Sequence, residues 1–278
     1  MTTSLDVSRK LDQVSVDLLL AVDSIAVGLG VSYCIVGAFA RDVVLGLCFG
    51  IDTGEATRDI DFGLMMDDWT QFDELRARLL ANKEFAEHRS IPHRLTFRGM
   101  RQLDIMPFGG IERKPGEIAW PPEFTTVMST VGLRQAHARA LLVTIARGRS
   151  VPFASPAALA LLKLIAWSER GSAVNRKDAR DLSLLLTSYL RAGNEERLYG
   201  EHAALLDEAD FDLEAAGARI LGRDLAGIAG REIRARLEQI LDRGMNPAHG
   251  EPLLRDLSLR YEEARRLLES LRRGLGEK

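Results

Sequence analysis

Two aspartates stand two residues apart in the run Arg58-Asp59-Ile60-Asp61-Phe62-Gly63-Leu64. Charged or small residues alternate there with apolar ones, which predicts a strand with Asp59 and Asp61 on one face and Ile60 and Phe62 on the other. A third carboxylate, Asp104, lies between Leu103 and Ile105 in another strand-like run, and joins the pair if the two strands are neighbours. Three carboxylates at one point repel and raise each other's pKa unless a divalent cation neutralises them. Hard oxygen donors suit magnesium or manganese, and a shared carboxylate can bridge two such ions about 3.5–4 Å apart, the arrangement for in-line phosphoryl chemistry. One ion would activate an acceptor hydroxyl and the other would hold a triphosphate, with Asp104 as general base or second-site ligand. An isolated Asp-x-Asp pair is more often the solvated face of an edge strand, so this chemistry needs a second signal.

Gly37 is that signal. Tyr33 to Val36 predicts a short buried strand, and Gly37, Ala38, Phe39, Ala40, Arg41 and Asp42 predict a tight turn entering a helix. A glycine at a helix start lets backbone N–H groups approach phosphate oxygens, and the helix dipole favours an anion there. Alone, such a glycine is usually just a turn. Followed by an acidic strand, it offers a place for a triphosphate beside a place for its metals.

Lys163 sits in an apolar helical stretch, where a lysine either snorkels to the surface or meets an anion. Asp178 and Asp181 are three apart on a predicted helix and share a face, where they could hold Lys163, Arg170 or a ribose hydroxyl; the alternative is a surface ion-pair ladder with Arg176, Lys177 and Arg180. Arg94, Arg98 and Arg101 surround the predicted hairpin that carries Asp104, either as a phosphate-positioning patch for a nucleic-acid acceptor or as a solvated hairpin. His88, His93, His137, His202 and His249 show no metal-ligand spacing and receive no role.

The elements that must position these groups follow from periodicity. Leu11 to Leu29 predicts an amphipathic helix, with Asp6 or Ser8 to cap its start. Gly50 to Arg58 is a turn-rich connection, Trp69 to Leu80 a helix, and Arg94–Phe97 with Gln102–Met106 a hairpin joined through Gly99. Pro107 to Pro122 has no clear period and predicts a long loop, and Ala138–Ile145 with Ser150–Phe153 predicts a strand pair. Ser155 and Pro156 are a helix-start signal, and beyond them only helical periodicity recurs. The expected architecture is α+β: a mixed sheet flanked by helices over residues 1–154, then a helical domain over 155–278.

Composition sets outer bounds. With 46% apolar and 28% charged residues over 278 positions, the chain reads as a globular protein large enough for a real core. A net charge of -3 gives no bulk electrostatic case for tight nucleic-acid binding but leaves room for a local basic groove. Cys34 and Cys48 lie in apolar surroundings and predict reduced core thiols. No signal segment or membrane-spanning run is evident, so a cytoplasmic protein with no membrane partner is expected.

Gly37 to Asp42, followed by Thr57, Arg58, Asp59, Ile60, Asp61 and Phe62, resembles the glycine-turn and Asp-x-Asp core of the polymerase β nucleotidyltransferase superfamily, and most closely its AbiEii branch of toxin-type nucleotidyltransferases. Val151 to Pro156, then Lys163, Ala166, Arg170, Lys177, Asp178, Asp181 and Leu182, is similar to that branch's helical Lys and Asp motifs. Ala38 stands where the superfamily usually has Ser or Gly, which leaves the contact with phosphate to backbone N–H groups. The resemblance implies transfer of a nucleoside monophosphate from a nucleoside triphosphate with magnesium or manganese, releasing pyrophosphate. Asp59, Asp61 and Asp104 would hold metal, while Asp59, Asp61, Asp104, Lys163 and Asp178 would be catalytic. Gly37, Ala38, Arg41, Thr57, Arg58 and Asp181 would bind the nucleotide. Lys163 would neutralise the triphosphate from the second domain across a cleft, so its removal would depress turnover with little loss of stability. The branch further implies an RNA acceptor, a tRNA 3′ end, and an antitoxin partner. Two other readings stand: a small-molecule nucleotidyltransferase acting on an aminoglycoside-type hydroxyl, and an inactive binding module.

Overall fold

The computed structural model describes residues 5–54, 57–169, 172–208 and 211–277. They fall into two compact units, residues 1–155 and 156–278.

The first unit is built on a mixed seven-stranded sheet. Its opening helix α1 (Gln13–Gly28) buries Val16, Leu18, Leu19, Val22 and Ala26. Asp12 caps it, accepting from the Ser15 N–H at 3.0 Å and the Ser15 hydroxyl at 2.8 Å. The expected caps do other work: Asp6 bridges to Thr144 and accepts from the Ser8 N–H. β1 (Ser32–Val36) leads into α2 (Gly37–Arg41), which continues as a π-helical stretch, Asp42–Cys48. β2 (Asp59–Met66) precedes α3 (Trp69–Ala81), then β3 (Phe85–Glu87), β4 (Arg94–Phe97) and β5 (Arg101–Gly109). β6 (Glu117–Trp120) and β7 (Thr126–Ser129) form a separate antiparallel pair, α4 spans Leu133–Ala138, and β8 (Leu141–Ala146) turns back into β9 (Arg149–Phe153).

The strand order is β3-β4-β5-β2-β1-β9-β8. β2 pairs antiparallel with β1 and parallel with β5, and β1 is parallel to β9. The acidic strand therefore lies at the centre of the sheet. Ile60, Phe62 and Leu64 are fully buried, whereas Asp59 and Asp61 are half-buried. This removes the edge-strand reading of the Asp-x-Asp pair, because a central strand has both ladder edges occupied.

Three expectations need correction. The predicted loop from Pro107 to Pro122 contains the end of β5 and all of β6, whose cross-strand partners on β7 come later in the chain. Ala138, expected in a strand, ends α4. The three-residue β3, too short for a period, was not foreseen; it is held by pairing with β4. Both cysteines are free thiols, with Cys34 buried and pushed up to about 12 and Cys48 half-buried and pushed up to about 11, in each case by burial.

Among its described residues the second unit has helices joined by turns and no strand. Its longer helices are α5 (Pro156–Glu169), α6 (Ser172–Ser188), α8 (Leu213–Ile228), α9 (Arg231–Gly244) and α11 (Tyr261–Gly276), with α7 (Glu195–Tyr199) and α10 (Pro252–Asp256) as short links. α8 and α11 meet backbone to backbone: a Cβ on Gly274 would lie 2.0 Å from the Arg219 carbonyl oxygen. A part-buried network pins these helices, with the Tyr189 hydroxyl and the Arg197 fork both on Asp224 and Glu277 joining Arg219 and Arg223. Among the described residues no helix is long and apolar enough to cross a membrane.

Candidate active site

Strand register gathers the acidic face. Val36 of β1, Asp61 of β2, Asp104 of β5 and Arg94 of β4 are successive partners in one row across the sheet. Neighbouring strands lie about 4.8 Å apart, so Asp61 and Asp104 are adjacent on the same face, with Asp59 two residues along β2. Asp104 thus stands on the neighbouring strand beside Asp61, in parallel register. Its oxygens, however, are engaged: Arg94 donates from Nε to Oδ1 at 2.7 Å and from Nη2 to Oδ2 at 2.6 Å, a two-pronged pair on a side chain only 12% exposed. Hydrogen bonding to Asp104, and the added field of Asp104, Asp59 and Asp61, raise the Arg94 pKa above its ordinary value.

Gly37 is in direct contact with this face. Its φ is +73°, and a Cβ built on it would lie 1.9 Å from Asp61 Oδ2. A side chain there would strain the left-handed backbone and overlap the carboxylate that packs against it. Val36, the residue before the helix that starts there, makes no side-chain capping bond. Gly37→Ala is expected to cost about 1–3 kcal/mol of stability for the left-handed backbone. The overlap is relieved most cheaply by rotating Asp61 away, so nucleotide transfer is expected to fall much further than stability. A thermal melt beside a transfer assay checks this; an alanine variant with wild-type transfer would overturn the contact's importance.

The residues around the turn brace one another. Asp42 accepts from Arg41 Nε at 2.9 Å and from the Thr57 N–H at 3.0 Å. The Thr57 hydroxyl accepts from the Asp59 N–H at 3.3 Å, which sets the first residue of the acidic strand. Arg101 reaches the Thr57 carbonyl at 3.2 Å and Asp12 at 2.7 Å, tying the start of β2 to the cap of α1. Arg58 is exposed, Ala38 half-buried and Arg41 buried. Asp42 was not foreseen as a positioning group, because its partner Thr57 is fifteen residues away and no local pattern links them. The hairpin arginines are internal braces: Arg94 holds Asp104, Arg98 pairs with Glu84 and Asp17, and Arg101 holds Asp12.

In the second unit Lys163 meets two anions. Its Nζ lies 3.0 Å from Asp178 Oδ1 and 2.6 Å from Asp181 Oδ2. The lysine side chain is 12% exposed and the two carboxylates 2% and 3%, so neither the snorkelling lysine nor the surface ion-pair ladder describes this group. Asp178 and Asp181 face inward while Arg176, Lys177 and Arg180 on the same helix are exposed. Removing Lys163 would take a shared counter-charge from two buried carboxylates, so a loss of stability is expected beside any loss of turnover. Arg170 lies outside the described residues.

The chain that carries this sheet and glycine turn is a nucleotidyltransferase. A family model described as "Nucleotidyl transferase AbiEii toxin, Type IV TA system" matches residues 37–260. The match spans most of the chain, which belongs to that family. Among solved structures, the antibiotic-resistance factor ANT(2'')-Ia in solution is similar at 17% identity, over 70% of this chain and 97% of that one, with a TM-score of 0.39. The crystal structure of ANT(2")-Ia with adenylyl-2"-tobramycin is similar at 20% identity, over 66% and 98%, with a TM-score of 0.40. An antigenic nucleotidyltransferase-like protein from Paracoccidioides brasiliensis is similar at 17% identity, over 70% and 92%, with a TM-score of 0.41. No curated protein matches.

Proposed function

We propose that this nucleotidyltransferase moves a nucleoside monophosphate from a nucleoside triphosphate onto RNA, at a tRNA 3′ end, under the control of an antitoxin protein. The observation that carries the transfer chemistry is the contact of Gly37 with Asp61, which sets a helix start against a carboxylate face at the centre of the sheet. The AbiEii family description, a toxin of a toxin-antitoxin system, supports the antitoxin.

The donor set fits magnesium or manganese with two protein carboxylates. Asp59 and Asp61 are hard ligands on one face, and magnesium is commonly held by one or two carboxylates together with substrate phosphates. Among the described residues no group of three or more His, Cys, Asp or Glu side chains could hold a metal ion, in keeping with Asp104 being bound to Arg94. The ion, when bound, would neutralise triphosphate oxygens and favour the acceptor hydroxyl's deprotonated form. The chain's own groups orient the substrate: the N–H groups of Gly37 and Ala38 take phosphate oxygens, and Thr57, Arg41 and Arg58 frame the entry to the acidic strand. Lys163, paired with Asp178 and Asp181, is the residue to which the resemblance gives the neutralising of triphosphate charge.

The test incubates purified protein with magnesium, each labelled nucleoside triphosphate and total RNA, beside a panel of aminoglycosides. Label at RNA 3′ ends is expected. Label on the drugs alone would overturn the RNA acceptor, and label on neither would overturn the transfer reading.

A further inference from the structure

Asp104 is aligned with the acid pair yet its oxygens are turned to a guanidinium. We propose that Arg94 is a positioning residue that occupies Asp104 in place of an ion, so that Arg94 and a divalent cation compete for that carboxylate. The proposal rests on the metal reading of Asp59 and Asp61 above and goes beyond it by giving the third carboxylate a resident counter-charge.

The geometry supports this in three ways. Arg94 is the cross-strand partner of Asp104, and Asp104 is the parallel partner of Asp61, so cation and acids stand in one row on one face. The two-pronged contact at 2.7 and 2.6 Å engages both Asp104 oxygens in the fork geometry that arginine alone provides. Asp104 is buried, and a buried carboxylate without a counter-charge is strongly destabilising. Arg94 therefore lets the acidic row fold before any ion arrives. Its placement also denies the ion a third inner ligand unless the fork opens.

Competition makes a prediction that simple charge repulsion does not. Removing Arg94 raises affinity for a cation through the long-range field whether or not Asp104 is present, whereas release of a ligand requires Asp104. Mn2+ binding without nucleotide, read from the loss of the free-ion paramagnetic resonance signal, is measured for the wild type, Arg94→Gln, Asp104→Asn and the double variant. Arg94→Gln is expected to tighten Mn2+ about tenfold, and the same substitution in the Asp104→Asn background to change it less than about twofold. Arg94→Lys keeps the charge but loses the fork, and is expected to tighten binding in the wild-type background only. It carries the same comparison if Arg94→Gln does not fold. An equal gain in both backgrounds, or no gain at all, overturns the proposal while leaving metal binding by Asp59 and Asp61 intact. No Mn2+ uptake by any of the proteins overturns the metal reading itself, and the proposal with it.

Discussion

Replacing Asp59 or Asp61 with Asn is expected to abolish nucleotide transfer, lowering turnover by at least about 10²–10³-fold, with the fold intact. Asparagine matches aspartate in shape and keeps one oxygen, but it loses the charge that holds a hard cation. Stability should not suffer, because the two side chains are half-buried on a face that already carries Asp104. Removing one negative charge from that face relieves repulsion. Each variant is assayed with labelled nucleoside triphosphate and magnesium, beside a thermal melt. Full transfer in either variant would remove that residue from the chemistry, and a collapsed melt would show that the carboxylate is needed for folding.

Lys163→Ala is expected to destabilise the helical unit by about 3–5 kcal/mol, the usual result of removing one partner of a buried ion cluster. The ammonium lies 3.0 and 2.6 Å from two carboxylates that are almost fully buried. The substitution takes away the ammonium that both buried carboxylates share. Much of the loss should return when Asp178→Asn and Asp181→Asn are added, since the neutral amides no longer repel. Turnover of Lys163→Ala must then be read well below its lowered melting temperature to separate chemistry from unfolding. A single variant that melts like the wild type would contradict the buried cluster. A stable triple variant that transfers nucleotide at the wild-type rate would exclude Lys163 from the reaction.

Much of the fold was legible because local signals were strong. Alternation from Asp59 to Leu64 marks β2, the apolar spacing after Leu11 marks α1, and Ser155 with Pro156 marks the start of α5. Gly37 before a helix is also a local pattern, and it coincides with a backbone at φ +73°. Weak local signals misled further along the chain. The Gly- and Pro-rich run from Pro107 to Pro122 hides β6, because its strand character comes from pairing with β7 rather than from its own period.

For the site, the sequence by itself determined which residue types stand at which spacing: two carboxylates on one strand face, a glycine at a helix start, and a lysine and two aspartates on helices. Only the tertiary structure decided what each one touches. That β2 is central rather than an edge, that Asp104 stands beside Asp61 but is clasped by Arg94, that Gly37 abuts Asp61, and that Asp178 and Asp181 turn inward to Lys163 all depend on partners distant in the chain. Side-chain direction within an element follows from the local period, 2.0 for a strand and 3.6 for a helix. Charge pairing depends on which elements become neighbours, and that is set by burial of apolar faces far apart in the sequence.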